Sequence, residues 1–432
     1  MMSESLNTMT ATNGILPHHP ASTTTMTQTK SYASSTLAIH ADDRLNQATD
    51  VAPALHVSTT FRYSSDPDQL VPVGDEKRDY DDMNHVYTRL SNPNNARLEA
   101  ILSSLMGGHV LTYASGLAAF HAMVVYLRPN VIAMYEGYHG CHGIVAILAR
   151  LYGLKKVNLM DESSWDDAGL GKGDIIHVET PLNPTGEAYN LEYFRKKADE
   201  RGAFLTCDAT FAPPPLQDPF RHGVDIIMHS GTKYIGGHSD MLCGVLAMKN
   251  ETWYKELWSE RLLLGGVLGN LEGWLGVRSV RTLELRIKTQ SGNAENLASW
   301  LSAALEGHGE EAEIVKNTVY QVKHASLQGK DMSWLQKQMP NGYGPVFSIW
   351  AKSCDMARKL PSKLQLFHHA TSLGGVESLI EWRKMSDRTV DDRVLRLSVG
   401  IENWEDLRDD LLAGFKSLLE EERKDKEVNG HS

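Results

Sequence analysis

The stretch Val224–Asn250, VDIIMHSGTKYIGGHSDMLCGVLAMKN, decides the fold. An apolar run over Val224–His229 predicts a short buried strand, and a second over Met241–Met248 follows a glycine-rich turn. Between them stand Ser230, Gly231, Thr232 and Lys233, which put one lysine and two hydroxyls at a strand end. Lysine is rarely buried unless paired, so a solvated turn lysine is the plain alternative. In apolar or cationic surroundings its pKa falls, and the amine becomes a nucleophile able to form a Schiff base. Small residues on both sides leave room for a flat cofactor against the backbone. What the rest of the chain places around Lys233 decides between these readings.

Upstream of this stretch, strands and helices alternate. Strands are predicted at His109–Tyr113, Val131–Tyr135, Ile175–Glu179 and Phe204–Asp208, with helices at Ala96–Met106, Gly116–Tyr126, Gly143–Tyr152 and Leu191–Glu200. Such alternation implies right-handed crossovers and a mostly parallel sheet covered by helices on both faces, an α/β architecture. Downstream, helices at Leu271–Lys288 and Ala294–Leu305 lead to strands at Val346–Ala351 and Val394–Val399 and a closing helix, Trp404–Leu419. This part reads as a smaller C-terminal α+β domain. The expected organisation is a disordered tail over 1–34, an arm over 35–95, a large domain over 96–290 and a C-terminal domain over 291–432. The tail is rich in Ser, Thr, Asn and Met, lacks the apolar core of a secretory signal and contains no Arg. The arm has too little apolar surface for a core of its own, so it is expected to lie across another part of the molecule or a neighbouring subunit.

Composition narrows the function classes. The chain has 432 residues, 41% hydrophobic and 22% charged, as in an ordinary soluble enzyme. A net charge of −11, without a basic cluster, argues against nucleic acid and anionic membrane surfaces as partners. No apolar run approaches the ~20 residues that span a bilayer. Four scattered cysteines without a Cys-x-x-Cys pair suit reduced thiols and a cytoplasmic location. His139, Cys141 and His142 lack a fourth ligand at metal spacing, so no metal is expected.

In open parallel sheets, ligands bind beyond the carboxyl ends of the strands. The residues there are Ser115-Gly116, Tyr135, Glu179 to Asn183, Asp208 and Lys233. Ser115-Gly116-Leu117 opens a helix whose free N–H groups and dipole suit a phosphate. Asp208 ends a buried strand, where a carboxylate needs a cation such as a protonated pyridine nitrogen. Tyr135 offers a ring to stack on that pyridine, and Lys233 the imine. Each has a plain alternative: a helix cap, a turn cap, a core tyrosine. Together, in this order, they are the parts of a pyridoxal phosphate site.

The chain also resembles the transsulfuration (Cys/Met metabolism) family of pyridoxal-phosphate enzymes, which includes cystathionine γ-synthases and γ-lyases and methionine γ-lyases. The motifs are TLAIHA at 36–41, YTRLSNPN at 87–94, ASGLAA at 114–119, VETPLNPTG at 178–186 and CDATFAPP at 207–214. HSGTKYIGGHSDMLCG at 229–244, SLGGVESLI at 372–380 and LRLSVGIE at 395–402 complete them. The resemblance implies the fold-type I, aspartate aminotransferase-like architecture and pyridoxal 5'-phosphate. It implies Lys233 as the residue that forms the internal aldimine and shuttles protons, and Asp208 as partner of the pyridinium. Gly116, Leu117, Ser230 and Thr232 would hold the phosphate, with Tyr87 and Arg89 reaching it from a neighbouring subunit. Tyr135 would stack on the ring and assist acid–base steps, and Asn183 would touch the ring hydroxyl side. Arg396 and Ser372 would clamp the substrate α-carboxylate, where the alternative for Arg396 is a surface ion pair. The shared phosphate site implies a homodimer, and a dimer of dimers is the expected homo-oligomer.

Departures from the family cluster where a γ-substituent or incoming nucleophile would sit. Ala209 stands for a usual Asn, EGYHGCHG for a Gly-Gly-Thr pattern, Thr371 for a frequent Glu, and Trp382-Arg383-Lys384 for a frequent His-Pro. The expected reaction is γ-replacement on an activated homoserine such as an O-acyl ester, by a thiol or other nucleophile, through a β,γ-unsaturated intermediate. The alternative is cystathionine γ-lyase-like γ-elimination to a 2-oxo acid and ammonia. A catalytically silent cofactor-binding scaffold is the reading from another class, and intact Lys233, Asp208, Tyr135 and Arg396 speak against it. Ser230-x-x-Lys233 is not a penicillin-recognising hydrolase motif, because Lys-Thr-Gly and Ser-Asp-Asn are missing.

Overall fold

The apolar strand runs assemble into one large sheet. The computed structural model describes residues 32–46, 48–72 and 85–429; the expected tail, apart from residues 32–34, lies outside them. Strands β1 (His109–Tyr113), β2 (Val131–Met134), β3 (Lys155–Asn158), β4 (Ile175–Glu179), β5 (Phe204–Asp208), β6 (Ile226–Ser230) and β7 (Gly244–Met248) lie in the order β1-β7-β6-β5-β4-β2-β3. β2 to β6 are parallel, and β7 is antiparallel to both β1 and β6. The result is an α/β fold with a mixed, mostly parallel sheet. Four parallel strands, β2, β4, β5 and β6, end side by side at Met134, Glu179, Asp208 and Ser230.

A second sheet has five strands in the order β10-β11-β12-β9-β8. These are β8 (Val319–Lys323), β9 (Val346–Ala351), β10 (His368–His369), β11 (Leu379–Trp382) and β12 (Val394–Ser398). Only β10 and β11 are parallel neighbours. The long helix Leu283–Glu306 runs through the position expected to divide two domains. Its Leu283 and Ile287 belong to the core under the large sheet, while Ala294, Leu297 and Leu301 pack with Phe347, Leu395, Leu411 and Phe415 under the second.

Several bounds differ from the sequence expectations. β3 was not expected, because KKVN is a polar, largely exposed edge strand without an apolar run. β6 begins two residues late, at Ile226, since the Asp225 carboxylate accepts from Leu205 N (2.8 Å) and pairs with Arg195 (2.9 Å). Met241–Cys243 is not strand: Cys243 N donates to Thr232 Oγ1 (2.9 Å) and Thr232 N to Cys243 O (3.1 Å). That exchange ties the segment to the turn carrying Lys233. The helix expected over Leu271–Lys288 is broken after Val280 and resumes at Leu283. Arg286 bridges the break, donating to Thr282 Oγ1 (3.2 Å), Ser279 O (3.0 Å) and Tyr234 O (2.8 Å).

The arm lies on its own subunit through polar side chains that reach its backbone. Asn94 Nδ2 donates to Ala54 O (2.8 Å), Trp274 Nε1 to Pro53 O (2.9 Å) and Asn270 Nδ2 to His56 O (2.8 Å). Buried Asp42 takes Arg97 at 2.9 Å. Its apolar side chains turn the other way, with Val51, Val57 and Tyr63 largely exposed.

Candidate active site

The ends of β4, β5 and β6, the N-terminus of the helix Gly116–Leu127 and the loop 371–373 enclose a cavity of about 640 Å³. Lys233 stands in a tight turn just past β6, where its N–H donates to Ser230 O (3.1 Å) and its carbonyl accepts from Gly237 N (2.7 Å). The amine donates to Ser372 Oγ at 2.6 Å. Burial, then the nearby Arg396 guanidinium, push it down to about 8. Ser372 reaches the amine from a left-handed backbone (φ +77°), a conformation that a non-glycine residue keeps only when its surroundings impose it. Two contacts impose it: Arg396 Nη2 holds the Ser372 carbonyl at 2.7 Å, and Gly374 (φ +94°) lies so close that a Cβ there would stand 2.8 Å from Lys233 Cα.

Asp208, 5% exposed, has no cationic partner among the described residues. Thr210 N (2.9 Å) and Thr210 Oγ1 (2.5 Å) both donate to its Oδ1, while burial raises its pKa. A buried carboxylate in that state calls for a cation. Ser115 caps the helix Gly116–Leu127 through Oγ, which accepts from Ala118 N at 3.1 Å. Gly116 and Leu117 at that helix start, with Ser230 and Thr232 at the turn, line the same cavity. An anion cradle, an unpaired buried acid and a depressed lysine amine thus face one space. They match the phosphate, ring nitrogen and aldehyde of pyridoxal phosphate, so the residues present fit the group.

Nine residues expected at the site line this cavity: Gly116, Leu117, Asn183, Asp208, Ser230, Thr232, Lys233, Ser372 and Arg396. Tyr135 does not. β2 ends at Met134, and the Tyr135 ring lies edge-on against Tyr189 with centroids 6.1 Å apart, facing a neighbouring chamber. Tyr138 takes the wall position instead, followed by His139. The loop is fixed by Glu179, whose Oε2 accepts from Tyr138 N and Oε1 from Asn183 N, both at 2.9 Å. Gly137 (φ +117°) permits this, because a Cβ would run into that carboxylate. Burial and the Asp208 charge push Glu179 well up from the ordinary carboxylate range. The signal for Tyr138 was in EGYHGCHG, which offers a second tyrosine three residues after Tyr135.

Arg396 on β12 faces Glu381 on β11 in register. Its Nη1 donates to Asn183 Oδ1 (3.0 Å) and its Nη2 to Glu381 Oε2 (2.6 Å). The same Glu381 oxygen accepts from Arg383 Nη1 at 2.7 Å, and Arg383 also lines the cavity. Arg396 is therefore no surface ion pair: it is 4% exposed, and burial lowers it to about 10. Tyr87 and Arg89 do not line the cavity of their own chain; the Arg89 guanidinium lies 5.6 Å from the Tyr87 ring centre, and Tyr87 is exposed.

Comparison with known proteins agrees with this geometry. The cystathionine gamma-lyase of Dictyostelium discoideum is 31% identical over 405 residues, covering 89% of this chain and 98% of the relative. The cystathionine beta-lyase MetC of Bacillus subtilis is 30% identical, covering 77% of this chain and 86% of the relative. Among solved structures, cystathionine gamma synthase from Xanthomonas oryzae pv. oryzae in complex with cystathionine superposes with a TM-score of 0.76. It is 28% identical and covers 89% of this chain and 98% of that one. The model of the Cys/Met metabolism PLP-dependent enzymes matches residues 35–416, and with a cavity that fits the cofactor of that family, the chain belongs to it.

Proposed function

We propose that this enzyme catalyses γ-replacement on an O-acylhomoserine, with a thiol or other nucleophile as acceptor. When bound, pyridoxal phosphate supplies an electron sink in conjugation with the substrate amine carbon. Asp208 would hold the ring nitrogen, and the helix start at Gly116-Leu117 with Ser230 and Thr232 the phosphate. Arg396 and Ser372 would orient the substrate α-carboxylate, with Asn183 steadying the guanidinium through its 3.0 Å hydrogen bond. Lys233 Nζ, depressed to about 8, is suited to take a proton from Cα and then from Cβ near neutral pH. Tyr138 at the cavity wall would close over the ring and assist these transfers. The Cγ–O ester bond would then break with loss of a carboxylate, a Cγ–S bond would form as the thiol gives up its proton, and Lys233 Nζ would return protons to Cβ and then Cα to complete the replacement.

The observation that carries this reading is the wall at Thr371. The acidic side chains lining the cavity, Asp208 and Glu179, stand at strand ends, whereas the wall at residue 371 offers a hydroxyl and methyl, with Arg383 a further lining residue. A distal ammonium, as in cystathionine, would find no counter-charge on Thr371, while an ester loses nothing. γ-Elimination to a 2-oxo acid and ammonia is the second reading, supported by a relative named cystathionine gamma-lyase. Purified enzyme given O-acetylhomoserine, O-succinylhomoserine or cystathionine, with and without thiols, separates the two by mass spectrometry. We expect kcat/KM for an ester to exceed that for cystathionine by up to about fivefold, the worth of one charge contact at an exposed wall position. Thr371→Glu should narrow the gap; faster cleavage of cystathionine would overturn the reading.

The active unit in this proposal is a homodimer, paired again into a tetramer. Support comes from Tyr87 and Arg89, placed away from their own cavity, and from an arm that leaves Val51, Val57 and Tyr63 exposed. Mixing Arg89→Ala with Lys233→Ala subunits should restore activity through one intact hybrid site, and a fully active monomer would exclude the assembly.

A further inference from the structure

We infer that Arg383 makes this site select a reactant with a second carboxylate, beyond the α-carboxylate that Arg396 holds. The inference rests on the amino-acid reading given above for Arg396. Arg383 follows directly on β11, is 3% exposed, and lines the cavity together with Thr371, Ser372 and Arg396. A guanidinium carries five donors in a rigid fork. Of these, Nη1 is spent on Glu381 Oε2, the oxygen that Arg396 also uses, and Nε is buried with no partner.

Two other carboxylates on this side, Glu179 and Asp387, feel the Arg383 charge but spend their hydrogen bonds elsewhere. Glu179 is turned to the backbone N–H groups of Tyr138 and Asn183. Asp387 is turned to Thr389 N (2.8 Å) and Thr389 Oγ1 (2.6 Å). Arg383 lines the cavity with a fork that the protein uses only in part, and a planar anion from the ligand would complete it. Arg396 already has Asn183 and Ser372 around it for the α-carboxylate, so the anion for Arg383 belongs at the other end. A carboxylate there has two sources, the departing γ-acyl group or the incoming nucleophile.

Equilibrium binding to the cofactor-loaded enzyme, measured by calorimetry, tests this with L-2-aminoadipate and L-norleucine, which differ by a distal carboxylate against a methyl. Wild type should bind aminoadipate about tenfold tighter or more. Arg383→Gln should bring the two within about twofold by weakening aminoadipate alone, and Arg383→Lys, which keeps the charge without the fork, should fall between. No preference in wild type, or equal weakening of both ligands in Arg383→Gln, would overturn the inference. Should Arg383→Gln fail to fold, the wild-type preference and Arg383→Lys still decide. Failure of wild type to bind either ligand would instead overturn the amino-acid reading of the site, and this inference with it. Turnover then separates the sources. An Arg383-dependent preference for O-succinyl- over O-acetylhomoserine, with cysteamine as acceptor, assigns the carboxylate to the leaving group. An Arg383-dependent preference for cysteine over cysteamine, with O-acetylhomoserine, assigns it to the nucleophile; no such dependence in either arm counts against the inference.

Discussion

Replacing Asp208 by Asn should have opposite effects on the cofactor-free and cofactor-loaded protein. In the apoprotein the carboxylate is 5% exposed, takes two hydrogen bonds from Thr210 and has no cationic partner among the described residues. An amide oxygen accepts the same two bonds without a buried charge, which relieves on the order of 1–3 kcal/mol. The apoprotein should therefore melt higher, by at most about 2–4 °C per kcal/mol for a chain of this size. In the loaded enzyme the substitution removes a charge-assisted bond to the ring nitrogen, worth about 1.5–3 kcal/mol, so cofactor affinity should fall roughly ten- to a hundredfold. The pH dependence has a definite sign. Burial raises the Asp208 pKa above its ordinary 3.8, so the native apoprotein holds that proton more tightly than the unfolded chain. Stability is then lost as pH rises from about 3.8 to the raised value, and the variant does not share the loss. The stabilisation of Asp208→Asn should grow over that window and level off above it. Glu179, raised by burial and by the Asp208 charge, should ionise more easily in the variant. Affinity is best read with pyridoxine phosphate, whose alcohol cannot link to Lys233, and stability by thermal melts of the apoprotein across pH. Unchanged affinity, or a lower melting temperature at every pH, would refute the reasoning.

Two further expectations follow from the same cavity. Tyr138→Phe should lower kcat more than it raises KM, on the scale of about 10²–10⁴ for an assisting acid–base group, whereas Tyr135→Phe should be nearly silent; steady-state kinetics of both variants checks the reassignment. In the apoprotein, the rate of cofactor uptake needs the neutral Lys233 amine, so it should rise with pH through about 8. Arg396→Gln removes one of the causes that depress the amine and should move that midpoint upward.

The parts legible in the sequence are those where one physical signal dominates. β4 and β5 lie at the expected bounds, because a strand buried on both faces is a short apolar run closed by a polar residue at the ligand edge. Seven cavity residues were readable for the same reason, near strand ends or at a helix start, whereas Ser372, in a loop, and Arg396, inside β12, were read from the family resemblance. β3 was not, since an exposed edge strand has no apolar run. The sequence pattern makes Tyr135 the last residue of a strand and so the stacking ring, but the backbone leaves the sheet at Met134 and Glu179 holds the next loop so that Tyr138 faces the cavity. Glu179 and Glu381 carry no role that spacing reveals; their partners come from Tyr138 and Asn183 in one case and from two arginines in the other. Arg383 was visible only as a departure from a family pattern, and its burial beside Arg396 is a product of the pairing of β11 and β12.

The most direct test of Lys233 as the residue that carries the cofactor is borohydride reduction of the loaded enzyme followed by peptide mass mapping. We expect the reduced pyridoxyl phosphate adduct on the peptide containing Lys233, with loss of the visible absorbance band, and neither in Lys233→Ala. An adduct confined to another lysine, or a wild-type protein that takes up no cofactor, would contradict the site built around Lys233 and Asp208.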